Sequence, residues 1–265
     1  MSADGAAEPR PDPEVVRGVA VDYRVRFDEC GPDGIVRSSA LLRYAQDVAW
    51  VHSERMGFDR AWYAERDLAW VVRAAELAIL EPVSLGQTVT LSTAVIGFRK
   101  VWARRRTEGR LPDGRLVLWG HTDWVMTDVV RGLPGRVPPE FPGVFDVPPG
   151  PFEPGRVPLA PTPDEAVRHR SRVRPQDLDP MGHVNNAAYL DYLEEALHVV
   201  GDAARLAITG TPRRIRLEYL APAAPSVALL GEAWPEPPDG ADGWAWRLTD
   251  DEGRELARAR VLTGI

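Results

Sequence analysis

The second half of this 265-residue sequence repeats the first, which restricts the fold to two copies of one unit. When Arg24 is placed on Arg172 and the offset of 148 is kept through Ala49, nine of 26 positions are identical. A second match, at an offset of 140, places Leu77, Leu80 and Pro82 on Leu217, Leu220 and Pro222. The chain is long enough for two domains of about 120–130 residues each. We therefore interpret it as a tandem duplication.

A proline-rich segment separates the two copies. Residues 131–165 contain eleven prolines, and this density disfavours helix interiors and sheet ladders because proline lacks a backbone N–H and fixes φ. We predict a flexible N-terminal tail over residues 1–18, a first domain over 19–130, a linker over 131–165 and a second domain over 166–265.

Each copy has the same order of secondary-structure patterns. A short alternating strand and a Gly/Asp/Pro turn precede a helix with one apolar face, predicted at Ser39–Met56 in the first copy. The second copy repeats this spacing at Tyr189, Leu190, Leu193, Ala196 and Leu197. Four strands follow each helix, from Trp70 to Thr127 and from Arg213 to Leu262. One long helix and a run of antiparallel strands per copy predict an α+β fold with each sheet wrapped around its helix.

Composition argues against several classes of protein. A net charge of −7 is unfavourable for a general nucleic-acid binder. No run approaches the roughly 20 apolar residues that span a bilayer, and the polar N-terminus lacks the apolar core of a secretory signal. The single cysteine, Cys30, allows no intramolecular disulfide, as expected of a cytoplasmic protein. Metal-ligand spacings and phosphate-binding loops are missing from the sequence, so we expect no metal and no cofactor.

Four segments of the chain resemble acyl-ACP thioesterases. They are RYAQDVAWVHSERMGF, DLAWVVRAAELAILEPVSLGQTVTLST and GHTDWVMTDVVRGLPGRVP in the first copy, and RVRPQDLDPMGHVNNAAYLDYLEEA in the second. The resemblance implies a tandem hot-dog fold, in which each half is an antiparallel sheet around a long central helix. It also implies hydrolysis of fatty acyl or polyketide-type thioesters of acyl carrier protein to the free acid.

The catalytic Asp and His of that family fall on Asp179 and His183. The sequence departs from the plant-type pattern at Met181, where the family has Asn, and in the stretch LAPAAP (residues 220–225), where the family has Glu and Cys. The segment DPMGHVNN is also similar to single-domain CoA thioesterases, whose essential carboxylate aligns with Asp179. An acyl-CoA or aryl-CoA thioesterase is therefore the main alternative. A hot-dog dehydratase or a non-catalytic acyl-binding protein is less favoured, because the usual dehydratase signature is missing.

The residue types around Asp179 suit thioester hydrolysis. Asp179 can act as a general base on water or attack the thioester directly, and His183 can orient water or carry a proton. A purely structural role competes with this interpretation, since Asp before Pro180 is also a common turn starter.

The residues that follow lead into a predicted helix. The first N–H groups of a helix lack intrahelical partners and, with the helix dipole, can bind an oxyanion. We therefore predict oxyanion or substrate-binding roles for Gly182, Val184, Asn185 and Asn186, with an asparagine as N-cap.

The repeat assigns these groups to one half of the chain. Asp179 and His183 align with Gly31 and Ile35, so we predict one active site, with the first half forming walls of the acyl pocket. The substrate partner is acyl carrier protein or a CoA thioester, and arginines at 104–106 or 168–174 are candidates for docking an acidic carrier. Because the chain supplies both hot-dog halves, it is expected to be a monomer or homodimer.

Overall fold

The computed structural model describes residues 18–147, 150, 152–236 and 243–264, so the predicted tail lies outside the described residues except for Gly18. The first half contains β1 (Val19–Arg24), α1 (Ser38–Arg55), α2 (Arg60–Ala64), β2 (Leu68–Ile79), β3 (Thr88–Arg99), β4 (Trp102–Arg110), β5 (Leu116–Asp128) and β6 (Leu133–Pro134). The helix α3 (Phe141–Val144) precedes the second half, which contains β7 (Val167–Arg172), α4 (Ala188–Val200), α5 (Asp202–Thr209), β8 (Arg213–Tyr219), β9 (Ala228–Pro235), β10 (Gly243–Asp250) and β11 (Glu255–Thr263). No helix in these ranges is long and apolar enough to cross a membrane.

The strands form one antiparallel sheet in the order β1-β3-β4-β5-β2-β8-β11-β10-β9-β7, with β6 paired to β5. This order is symmetric about the seam between β2 and β8, because each strand of the first half has its counterpart at the same distance from the seam. The helix α1 packs on β3 and β1, and α4 packs on β9 and β7. Each half is thus a sheet around one long helix, and the predicted α+β tandem hot-dog fold is confirmed.

A pseudo-twofold axis through the seam relates the two halves. Glu76 lies opposite Arg216 in the seam, with Glu76 Oε1 3.4 Å from Arg216 Nε, and the two positions are equivalent at the offset of 140. On the helix side, Arg43 Nη2 is 2.8 Å from Asp191 Oδ2, and these positions are equivalent at the offset of 148. Identical halves would place like charges together at both points. After the duplication these axial positions have diverged into complementary pairs.

One hydrophobic core runs through both halves. It contains the buried faces of the two central helices, including Leu41, Ala45 and Val48 from α1 and Leu193, Ala196 and Leu197 from α4. Alternate residues of the seam strands, such as Leu77 and Leu217, join these faces to each other. The continuous core, together with the seam, makes each half the packing partner of the other.

The described parts of the proline-rich segment, residues 131–147 and 152–165, contain packed and hydrogen-bonded stretches. Its first part contains α3, whose Phe141 is 1% exposed and belongs to an aromatic cluster of the first half. Its second part crosses the sheet face opposite the helices, where three backbone N–H groups donate to carboxylates. These bonds are Gly155 to Asp123 (2.6 Å), Val157 to Glu218 (2.9 Å) and Ala160 to Glu236 (3.1 Å). The prolines prevent this segment from forming a regular sheet ladder, and these N–H groups between the prolines bond to side-chain carboxylates instead.

Candidate active site

Asp179 begins a tight turn between β7 and α4. Its Oδ1 accepts hydrogen bonds from the backbone N–H groups of Met181 (2.9 Å) and His183 (3.2 Å). The Gly182 N–H donates to the Asp179 carbonyl (2.9 Å), and Gly182 has φ of +77°, a conformation that glycine adopts without strain. The turn role and the reactive role of Asp179 are compatible, because Oδ2 has no hydrogen-bond partner among the described residues.

A buried carboxylate next to the turn holds it in place. Asp177 accepts hydrogen bonds from the Arg174 N–H (2.8 Å), Arg174 Nη2 (2.9 Å) and the Tyr192 hydroxyl (2.7 Å). Burial alone would raise the pKa of Asp177, but the bonds from Arg174 and Tyr192 outweigh it and lower this pKa. The Asp177 carbonyl in turn accepts from the Asn185 N–H (2.8 Å). The network therefore fixes both ends of the turn.

The first half contains the same network, formed by Arg26, Glu29 and Tyr44. Each of its members aligns with its counterpart at the offset of 148, and the arginine and tyrosine are identical. Sequence reasoning missed the network, although this repeated Arg–acid–Tyr pattern was the available signal.

The start of α4 presents two unpaired amides. The N–H groups of Val184 and Asn186 make no hydrogen bond within the described part of the chain. The prediction of an asparagine N-cap is wrong, because the N-cap of α4 is Ala187, which makes no side-chain capping bond. The Asn185 side chain accepts from the Ala187 N–H (2.9 Å), and the Asn186 carbonyl accepts from the Tyr219 hydroxyl (2.9 Å). Val184 is 5% exposed, and an unpaired N–H at such a position is uncommon unless a ligand or water satisfies it.

The structure does not pair the two predicted catalytic side chains with each other. In the described residues, no hydrogen bond or ion pair joins the Asp179 carboxylate to the His183 ring, and His183 is exposed. The two residues are linked through the backbone, where the Asp179 N–H donates to the His183 carbonyl (2.8 Å). Met181, between them, is also exposed, so the turn faces solvent.

The corresponding turn in the first half has Gly31 at the Asp179 position, where a larger side chain would require Asp33 to shift. A Cβ added to Gly31 would lie 2.9 Å from Asp33 Oδ1. Asp33 Oδ1 itself accepts from the Ile35 N–H (3.0 Å) and thereby caps the turn. In this half the carboxylate therefore belongs to Asp33, which aligns with Met181, and it caps the turn. Ile35 occupies the position of His183.

Three other features that could serve catalysis lie outside this turn: the single cysteine, a cleft on the sheet, and the potential metal-ligand side chains. Burial, and then the Glu29 charge, raise the pKa of Cys30, which is unfavourable for a nucleophile. A cleft of about 250 Å³ on the sheet face opposite the helices is lined by Glu76, Arg104 and His121 among others, and it contains none of the predicted site residues. Within the described ranges, no group of His, Cys, Asp and Glu side chains is arranged to hold a metal ion.

Two family models match the sequence. Residues 19–145 match the acyl-ACP thioesterase N-terminal domain, and residues 173–222 match the thioesterase-like superfamily. No curated protein sequence gives a significant match.

Three solved structures have a similar fold over nearly the whole chain. A protein described as an oleoyl thioesterase from Lactobacillus plantarum has a TM-score of 0.78 and 19% identity, covering 93% of this chain and 96% of its own. The 12:0-ACP thioesterase from Umbellularia californica has a TM-score of 0.74 and 20% identity, covering 92% of each chain. An acyl-ACP thioesterase from Bacteroides thetaiotaomicron has a TM-score of 0.74 and 16% identity, covering 92% and 96%.

The paired sheets and the central helices define a tandem hot-dog fold, and the two family matches identify the chain as a thioesterase of that fold. The predicted thioester hydrolase activity is thereby confirmed. Within that class, residues 19–145, just under half of the chain, match the N-terminal domain of the acyl-ACP thioesterases.

Proposed function

We propose that this chain hydrolyses acyl thioesters of acyl carrier protein to the free acid at one active site, built on residues 177–186. The observation that carries the proposal is a difference between the halves. In the second half alone, a carboxylate with an unused oxygen, Asp179 Oδ2, lies in the same turn as the unpaired N–H of Val184. A base or nucleophile and an oxyanion donor are the two groups that thioester hydrolysis requires.

In the proposed reaction, Asp179 takes a proton from water as the water oxygen attacks the thioester carbonyl carbon. The carbonyl oxygen gains negative charge, which the unpaired N–H groups of Val184 and Asn186, in the segment that leads into α4, stabilise. Collapse of the intermediate breaks the C–S bond, and the departing thiolate takes up a proton. His183 is exposed next to Asp179, so it can deliver that proton from solvent.

Direct attack by the Asp179 carboxylate would give a mixed anhydride instead. A single turnover in heavy-oxygen water tests for this intermediate. Heavy oxygen in the Asp179 carboxylate would identify an anhydride opened at the Asp179 carbonyl, whereas attack by water leaves that carboxylate unlabelled.

The two arginine clusters differ in how far their charges are available to an acidic carrier. In the first cluster, Arg104 donates to both carboxylate oxygens of Asp123 (2.7 and 2.8 Å), and Arg105 is buried. In the second, Arg170 and Arg172 are exposed on β7 and make no ion pair within the described residues. The strand β7 leads directly into the catalytic turn, so we propose that the carrier docks along it.

Kinetics with matched acyl-ACP and acyl-CoA substrates test the function and the carrier. We expect Asp179→Asn to fold and to lose at least about 10²-fold in kcat, and His183→Ala to lose less. Hydrolysis at the wild-type rate by Asp179→Asn would overturn the proposed site. Arg170→Glu with Arg172→Glu should raise KM for acyl-ACP and leave KM for acyl-CoA unchanged. The paired Arg106, whose Nε is 2.9 Å from Glu108 Oε1, supplies the control Arg106→Gln.

An acyl-CoA thioesterase is the second candidate. It is favoured by the absence of a carboxylate in residues 220–225, where the acyl-ACP thioesterase pattern has Glu. A much larger kcat/KM for acyl-CoA than for acyl-ACP would select it. In either case we expect a cytoplasmic enzyme that is a monomer or a homodimer, because the pseudo-twofold seam already joins two hot-dog halves.

A further inference from the structure

The equivalent turns of the two halves are covered differently. In the first half, the segment Val83–Leu85 lies against the turn and closes it with two hydrogen bonds. The Val36 N–H donates to the Val83 carbonyl (2.9 Å), and the Leu85 N–H donates to the Gly34 carbonyl (2.8 Å). The amide equivalent to Val184 is therefore occupied by the chain itself.

The second half lacks both of these bonds. The equivalent segment, at the offset of 140, is Ala223–Pro225. Pro225 replaces Leu85 and has no N–H to donate. The Ala223 carbonyl accepts no hydrogen bond from Val184, and the Ala223 N–H donates to the Tyr189 hydroxyl (3.1 Å). Val184, equivalent to Val36, keeps its N–H unpaired within the described residues.

Two buried tyrosines replace aliphatic residues at this point. Tyr189 on α4 is equivalent to Leu41, and Tyr219 at the end of β8 is equivalent to Ile79. Their rings meet edge to face with centroids 5.2 Å apart. The Tyr219 hydroxyl bonds the Asn186 carbonyl, and the Tyr189 hydroxyl bonds Ala223. The pair thus connects Ala223 in the covering segment to Asn186, just before α4.

We propose that Tyr189 is a positioning residue that keeps the Val184 N–H open for the thioester oxyanion, and that Pro225 prevents the alternative closure. The inference rests on the proposed function, since it needs the oxyanion to lie at this turn. Tyr189 acts through Val184 and does not itself touch the reacting atoms. The closed turn of the first half shows the arrangement that the second half would otherwise adopt.

The test replaces Tyr189 by the residue of the inactive half. In Tyr189→Leu the covering segment loses its anchor, so kcat should fall by about 10²-fold, the effect of losing one oxyanion donor. KM should stay unchanged, because this donor acts on the charge that develops in the transition state. Tyr189→Phe keeps the ring and loses only the bond to Ala223, and it should cost about three- to tenfold in kcat.

Two further variants separate positioning from packing. Leu41→Met changes the equivalent core position in the first half and should leave kcat unchanged. Pro225→Leu restores the N–H that closes the first-half turn, and it should lower kcat without removing any side chain from the core. A role in packing alone predicts a lower Tm with wild-type kcat per folded molecule in Tyr189→Leu and Pro225→Leu, and this result would overturn the inference. If Asp179→Asn is also fully active, the proposed function has failed; if Asp179→Asn is inactive, the failure concerns Tyr189 alone.

Discussion

The two copies of the Arg–acid–Tyr network provide a matched pair of substitutions, Tyr192→Phe and Tyr44→Phe. Both remove one hydroxyl that donates to a carboxylate beside a turn, at Asp177 and Glu29 respectively. Both tyrosines are buried, with exposures of 2% and 7%. The two variants should therefore lose similar stability but differ in activity.

The magnitude follows from the burial of the acceptors. A hydrogen bond to a charged group is worth about 1.5–3 kcal/mol when its loss leaves the buried acceptor less satisfied. Asp177 is 4% exposed and keeps its bonds to Arg174, so we expect about 2 kcal/mol for Tyr192→Phe. In a chain of this size that corresponds to a decrease in Tm of about 4–8 °C. Urea unfolding followed by circular dichroism measures the free energy, and thermal melts measure the Tm.

The activity of the two variants should diverge, because Asp177 is the acid next to the proposed catalytic turn. Its backbone carbonyl accepts a hydrogen bond from the Asn185 N–H. We expect Tyr192→Phe to reduce kcat several-fold and Tyr44→Phe to leave it unchanged. The stability that the Asp177 carboxylate contributes also depends on pH. The folded pKa of Asp177 is lowered, so its stabilisation is complete above the unfolded value of about 3.9 and is lost as the pH falls through the folded pKa. Equal losses of kcat in both variants, or unchanged unfolding free energies at neutral pH, would refute this reasoning.

Two other predictions concern the first half and the axis. Burial, and then the charge of Arg105, lower the pKa of His52 to about 4. As the pH falls, His52 is therefore protonated in the unfolded chain before it is protonated in the folded one. Up to about 3 kcal/mol of the stability present above pH 6.5 should be lost between pH 6.5 and 4. Urea titrations across that range should show that His52→Gln removes this pH dependence. Arg43→Asp should destabilise by repulsion from Asp191, and adding Asp191→Arg should restore most of the loss. A double-mutant cycle should give a coupling of about 0.5–1 kcal/mol, because Arg43 is half exposed; additive effects would count against a direct axial pair.

Local patterns were sufficient to predict most of the fold. The apolar spacing of the two central helices and the alternation of the strands follow directly from burial on one face, and the predicted α1 differs from the observed Ser38–Arg55 by one residue at each end. The short helices α2, α3 and α5 were not predicted, because segments of four to eight residues carry too little periodicity. The packing of Phe141 was equally hidden, since the prolines around it suggested a linker.

The turn that contains Asp179 and His183 could be located from the sequence, but its hydrogen bonds could not. The duplication by itself restricted the predicted reactive residues, Asp179 and His183, to one half, because aligned positions either keep or lose a chemical group whatever the fold. Only the tertiary structure decided which atoms are available. Whether the Val184 N–H is free or hydrogen-bonded depends on the segment at Ala223, 39 residues further along the chain. In our proposal it also depends on Tyr189, which accepts a hydrogen bond from that segment. A hydrogen bond requires two groups to meet within about 3 Å, and for residues so far apart in sequence that distance is set by tertiary contacts, here those of Tyr189 with Tyr219 and Ala223.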